Sequence, residues 1–186
     1  MRCFIAVPIT GEARRGAARF QHRLRQEGDP VKWVAPHNFH LTLHFLGEME
    51  RDVIEEMPAL FGQALGTHAP FEVELQGAGA FPSLNKPRVI WVGVGRGSEA
   101  LASLHEALKG PLAQLGLRVE DRPFKPHLTL GRARGAIGRP CREEIRRGRD
   151  LGHGSCLVSR VILYQSVLRP SGPLYHPLFE VQLGKT

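Results

Sequence analysis

Hydrophobic positions along the chain switch repeatedly between a strand period and a helix period. "RCFIAVPI" (2–9) is apolar and β-branched enough to predict a buried strand. Ala13, Ala17, Phe20 and Leu24 then recur on one helical face, and Gly28 with Pro30 stops that helix. "HLTLHFL" (40–46) reads as the next strand. Val53, Ile54, Met57, Leu60, Phe61, Ala64 and Leu65 form a broad helical stripe closed by Gly66, and "FEVELQGAGAF" (71–81) alternates like a strand. After an exposed loop, "FPSLNKPR" (81–88), the order restarts. "RVIWVGV" (88–94) is a strand. Ser98 caps a helix with Leu101, Leu104 and Leu108 on one side, ended by Gly110 and Pro111. "HLTL" (127–130) returns as a strand, a short helix is expected near 140–148, and "CLVSRVILYQSVL" (156–168) and "HPLFEVQL" (176–183) are the last strands, with a turn at "RPSGP" (169–173).

Each half thus reads strand, helix, His-x-Thr strand, helix, strand. The spacing supports a repeat: Phe4 to His40 is 40 − 4 = 36 positions, and Ile90 to His127 is 127 − 90 = 37. Two copies are too few for a solenoid. With no Ser/Gly-rich linker between them, they predict one α+β domain over 1–186, made of two pseudo-symmetric lobes.

Alternate residues on a strand share a face. His40 and Thr42 therefore project together, as do His127 and Thr129, while Leu41, Leu43, Leu128 and Leu130 face the other way. If the lobes face each other, two imidazoles and two hydroxyls converge. Displacement at phosphorus needs a base for the nucleophile and an acid for the leaving oxygen. Two histidines can supply both near neutral pH, and threonine hydroxyls can donate to the non-bridging oxygens. This design needs no metal.

Composition narrows the partners. The formal charge of +7 over 186 residues makes a polyanion plausible. The densest basic segment, 131–150, reads equally well as a solvated loop and short helix. Cys3, Cys141 and Cys156 are too few and too scattered for a disulfide framework or a zinc motif. The apolar runs fall short of the roughly 20 residues of a membrane span, and a cytoplasmic location is expected. His37, His40 and His44 have a metal-site spacing on a helix, but on a strand His37 would face away from His40. "VGVGRGSEA" (92–100) looks like a phosphate loop but lacks its third glycine and any following Lys-Ser/Thr, which leaves a glycine-rich turn. His153 in "GHGS" reads as a loop residue.

The segments "HNFHLTLHFLGE" (37–48) and "RPFKPHLTLGR" (122–132), with "RCFIAVPI" and the repeated element order, resemble the two-histidine (2H) phosphoesterase superfamily. Within it they resemble the bacterial and archaeal RNA 2',3'-cyclic phosphodiesterases, also called 2'-5' RNA ligases. That resemblance implies a bilobal α+β fold with antiparallel sheets lining a central active-site cleft. It implies hydrolysis of a terminal 2',3'-cyclic phosphate to a 2'-phosphate, with ligation through a 2'-5' linkage as a second use of the same cleft. His40 would be the proton donor to the departing 3' oxygen and His127 the proton acceptor that activates water. Thr42 and Thr129 would hold the phosphate. The implied substrate is an RNA with a cyclic-phosphate end, such as a tRNA half, or a small cyclic nucleotide; no metal or other cofactor and no membrane is implied, and a monomer is expected. A basic module whose motifs only grip phosphate is the alternative. Two further residues are candidates for substrate binding. Phe45 could stack on a base, although core packing suits it better. Arg132 suits a phosphate, but strict alternation puts it on the back face with Leu130 unless Gly131 bends the strand.

Overall fold

The computed structural model describes residues 1–119, 122–170 and 172–184. Its nine described strands form a single sheet of antiparallel neighbours. They are β1 (Arg2–Pro8), β2 (Val31–Trp33), β3 (His40–Glu48), β4 (Phe71–Pro82), β5 (Pro87–Val94), β6 (His127–Ala133), β7 (Gly152–Val158), β8 (Arg160–Arg169) and β9 (Gly172–Gln182). The order across the sheet is β7-β4-β5-β6-β3-β1-β8-β9, with β2 paired to β6 off this path. Four helices flank it: α1 (Gly11–Leu24), α2 (Arg51–Leu65), α3 (Ser98–Gln114) and α4 (Arg139–Arg147).

Read outward from its middle, the sheet is two-fold. One side runs β3-β1-β8-β9 and the other β6-β5-β4-β7. The sides meet where the two His-x-Thr strands run antiparallel, with Leu41 opposite Leu128. That register sets His40 beside Thr129 and Thr42 beside His127. The repeat in the sequence thus becomes a symmetric pair at the centre of the sheet.

The lobes are not the two halves of the sequence. β8 and β9 return to β1. Although α1 follows β1, it packs on β7, β4 and α4; although α3 follows β5, it packs on α2 and β3. Each half lends its first helix to the other, and one hydrophobic cluster runs from Ile5 and Phe20 through Leu41 and Leu128 to Leu104 and Val161. Gly16 permits the closest of these crossings, because a Cβ there would collide with the His153 carbonyl on β7.

Several expectations change. Helix α3 runs through Gly110 and Pro111 to Gln114. Proline removes its own N–H bond and crowds the carbonyl four residues before it, but Leu112 extends the buried stripe of Leu101, Leu104 and Leu108, so packing carries the helix past it. The run 156–168 holds parts of two strands, β7 and β8, separated at Ser159. They serve opposite ends of the sheet, β7 on β4 and β8 on β1. The final strand starts at Gly172 rather than 176, as the second arm of a hairpin with β8. Pro82 ends β4 and Pro87 begins β5, rather than lying in the loop. The short strand β2 has no alternating pattern long enough to reveal it. His153 is a strand residue, buried beside Phe20 with ring centroids 4.6 Å apart, and burial pushes its pKa down to about 4.

Candidate active site

Leu41, Leu43, Leu128 and Leu130 are buried on the helix side, as alternation requires, and His40, Thr42, His127 and Thr129 line a cleft of about 990 Å³ on the opposite face. Each imidazole is held in the same way. His40 Nδ1 lies 2.7 Å from the carbonyl of Asn38, and His127 Nδ1 lies 2.8 Å from that of Lys125. In each case the carbonyl two places before the histidine accepts a hydrogen bond from Nδ1–H. That bond fixes the tautomer and leaves Nε2 as the proton-transferring atom. Aromatic neighbours fix the ring planes. Phe4 packs 4.9 Å from His40, with Tyr175 edge-on at 5.3 Å, and Phe81 is edge-on to His127 at 5.2 Å.

Burial is the main cause that pushes the pKa of both histidines below the ordinary value, against the pull of the backbone bonds. The Arg132 guanidinium adds to the depression of both, and His127 adds to that of His40.

Phe45 and Arg132 also line this cleft. For Phe45 this overturns the core reading: it is 65% exposed and pairs with Phe4 on β1. For Arg132 it overturns strict alternation. The same device turns both. Thr42 pairs with Ala6 and His44 with Ile5, so Leu43 is an extra residue on β3; Thr129 pairs with Trp91 and Gly131 with Ile90, so Leu130 is the extra residue on β6. A bulge puts two consecutive side chains on one face and shifts all that follow by one. The residue five places after each histidine, Phe45 or Arg132, swings into the cleft. It is the bulge at Leu130, not a bend at Gly131, that re-aims the arginine.

Buried polar side chains clamp both bulges. Gln21 on α1 donates its amide to the Leu130 carbonyl at 2.9 Å and to the Val34 carbonyl at 2.7 Å. His105 on α3 donates from Nδ1 to the Leu43 carbonyl at 2.8 Å, while its own carbonyl accepts from His44 Nε2 at 2.8 Å. His44, His105 and Phe124 form a parallel stack, with centroids 4.1 and 4.4 Å apart. His44 is therefore a buried packing residue rather than a partner of His40. His37, by contrast, lies on a short 3-10 turn, Pro36–Asn38, and reaches the cleft, where a strand would have turned it away.

The cleft is cationic. Arg2, Lys32, Arg132 and Arg169 line it, and no carboxylate is among its described lining residues. Apart from Arg132, these come from segments that alternation did not single out. The basic run 131–150 supplies only Arg132; on α4, Arg139 and Arg147 pair with Glu143 and Glu144. Among the described residues no cluster of three or more His, Cys, Asp or Glu is arranged to hold a metal ion, and no helix is long and apolar enough to cross a membrane.

The profile of the 2'-5' RNA ligase superfamily matches residues 12–168. The chain belongs to that superfamily. It is 38% identical to an RNA 2',3'-cyclic phosphodiesterase of Aeropyrum pernix over 91% of this chain and 96% of that one, and 32% identical to one of Thermotoga maritima over 98% and 95%. Among solved structures, a Thermus thermophilus protein superposes with a TM-score of 0.84 at 30% identity, covering 100% of this chain and 99% of that one. E. coli LigT complexed with 3'-AMP superposes with a TM-score of 0.79 at 26% identity, covering 99% and 98%. For a member of the 2'-5' RNA ligase superfamily, a cleft lined by cations, imidazoles and hydroxyls suits a phosphate of a nucleic acid end.

Proposed function

We propose that this protein is an RNA 2',3'-cyclic phosphodiesterase and that residues 1–186 act as one bilobal domain. The observation that carries the reading is the pair of imidazoles held alike through Nδ1 across a cleft lined by cations and by no described carboxylate. A cyclic phosphate bound between them receives hydroxyl donation from Thr42 and Thr129 on its non-bridging oxygens. His127 Nε2 takes a proton from water, the water oxygen bonds to phosphorus, the bond to O3' breaks, and His40 delivers a proton to O3'. The product is a 2'-phosphate beside a free 3'-hydroxyl. Arg132 neutralises the phosphate and Phe45 offers its exposed ring to the terminal base. The relatives' names and the cationic rim support an RNA end as substrate. The chain works as a monomer, and its three free, buried thiols accord with the reducing cytoplasm.

The test is the product formed from a short RNA with a 2',3'-cyclic phosphate. A 2'-phosphate end is expected, with turnover unchanged by a chelator. A 3'-phosphate end would reassign the leaving oxygen, and binding without turnover would favour a phosphate-gripping module.

Phe45→Ala is expected to raise KM roughly 10-fold with kcat nearly retained, the signature of lost uniform binding, because base stacking is worth about 1–3 kcal/mol. Arg132→Ala should lower kcat as well. Steady-state kinetics on the same RNA separates the two; an unchanged KM for Phe45→Ala would return that ring to a packing role.

A further inference from the structure

Beyond His127, on the same face of the sheet, lies a second hollow of about 510 Å³. Val89, Trp91 and Gly93 alternate along β5 toward this face. Val89 lines the main cleft, whereas Trp91 and Gly93 line the second hollow. Phe81 stands between the two, 5.2 Å from His127 and 5.0 Å from Trp91. The Trp91 indole lies against the strands because Gly79 and Gly93 carry no side chain; a Cβ on Gly79 would collide with its six-membered ring. Trp91 Nε1 is a buried donor without a partner among the described residues. Lys125 and Arg149 line the same hollow with exposed side chains that form no ion pair among the described residues, and Asp150 is the carboxylate of its lining. An aromatic plane rimmed by free cations is what holds a single-stranded nucleotide.

Position decides which nucleotide. Attacking and leaving oxygens lie roughly in line across a phosphoryl centre. With His40 at the leaving oxygen, the nucleophile arrives from the His127 side. The second hollow adjoins that side: Lys125 and Pro126 directly precede His127, and Gly93 is its cross-strand partner.

We propose that this hollow is the acceptor subsite for a second RNA strand, one that ends in a 5'-hydroxyl. The proposal rests on the acid and base roles given above and extends them to ligation. The first base of the acceptor stacks on Trp91, its following phosphates meet Lys125 and Arg149, and Asp150 accepts from a ribose hydroxyl. His127 Nε2 takes the proton of the 5'-hydroxyl, the 5' oxygen bonds to phosphorus, the P–O3' bond breaks, and His40 protonates O3'. The product is a 2'-5' phosphodiester with a free 3'-hydroxyl, and no further reactant is needed.

The experiment incubates the full chain with a cyclic-phosphate RNA, with and without a second RNA bearing a 5'-hydroxyl, and quantifies ring opening and joining together. Wild type is expected to form the 2'-5'-joined product. Arg149→Glu and Trp91→Leu should each lower joining by at least ~10-fold, and in Arg149→Glu ring opening by water should change less than ~twofold, which also shows that the variant is folded. Joining unaffected by both substitutions overturns the proposal. So does an equal loss of joining and ring opening in Arg149→Glu, which would make the hollow part of the hydrolytic site. A wild type that opens the ring but never joins overturns the acceptor subsite and leaves the phosphodiesterase reading intact. Absence of both reactions overturns that reading and the proposal with it.

Discussion

His40→Ala or His127→Ala is expected to lower kcat for opening a 2',3'-cyclic phosphate by at least ~10²-fold, and the double variant by little more than either single one. One imidazole must be protonated and the other neutral in the same turnover, so they act as a unit, and general acid–base catalysis contributes about 10²–10⁴-fold. The pH profile distinguishes the two roles. Burial lowers both pKa values in the free enzyme. For the base this is favourable, since His127 is neutral down to a lower pH. For the acid it is unfavourable, since His40 loses its proton sooner as pH rises. The bell for kcat/KM should therefore centre below the ordinary histidine value of about 6.5. A bound phosphate carries negative charge, which favours the protonated imidazoles, so the bell for kcat should lie at higher pH. His127→Ala should lose the acidic rise and His40→Ala the alkaline fall. The reverse pattern would exchange the labels, and full activity in either variant would remove the two-histidine mechanism.

How far this site can be read from the chain depends on where the strand period holds. From His40 to Leu43 and from His127 to Leu130 the period of two is unbroken, so the polar front and the apolar back follow directly from the letters. At Leu43 and at Leu130 the strands bulge, and a rule of alternation then assigns the side chains that follow directly, Phe45 and Arg132 among them, to the wrong face. Arg132, which strict alternation puts on the back face, and Phe45, which core packing suits better, both reach the cleft for that one reason. A signal was present: His44 stands where Gly131 stands in the other copy, and the two copies diverge at the position where the register shifts. The signal was not usable without the clamps, because Gln21 and His105 sit on helices remote in sequence. Arg2, Lys32 and Arg169 illustrate a different limit. Local pattern cannot gather three cations into one cleft when the topology that does so sends β8 back to β1 and pairs β2 with β6. The fold itself was legible as a repeat, because each copy buries a strand and a helix with clear periods. The exchange of α1 and α3 between lobes was not, since an amphipathic face does not specify which sheet covers it.

Gln21→Leu is the other substitution expected to act strongly, although Gln21 lies on the helix side of the sheet, away from the substrate. The glutamine is buried, and its amide N–H groups serve two carbonyls from different segments, Val34 beyond β2 and Leu130 at the bulge, while its oxygen accepts from Arg25 at 3.1 Å. Leucine matches its size but donates nothing. Leu130 retains the Val34 N–H at 2.9 Å, whereas the Val34 carbonyl loses its side-chain partner. At about 1–3 kcal/mol for a buried polar group left short, the expected loss of stability is about 1–3 kcal/mol, read as a lower denaturant midpoint at unchanged slope. Catalysis should fall beyond what reduced folding explains, because the bulge at Leu130 is what aims Arg132. Gln21→Glu separates donation from volume. One carboxylate oxygen would face two carbonyl oxygens, so burial and repulsion raise its folded pKa above the unfolded value, against the pull of Arg25 on the other oxygen. It donates only when protonated, so its deficit relative to wild type should shrink as pH falls from about 8 to about 5. A deficit that is flat with pH in Gln21→Glu, or activity per folded molecule that is unchanged in Gln21→Leu, would show that the bulge holds its shape without the clamp.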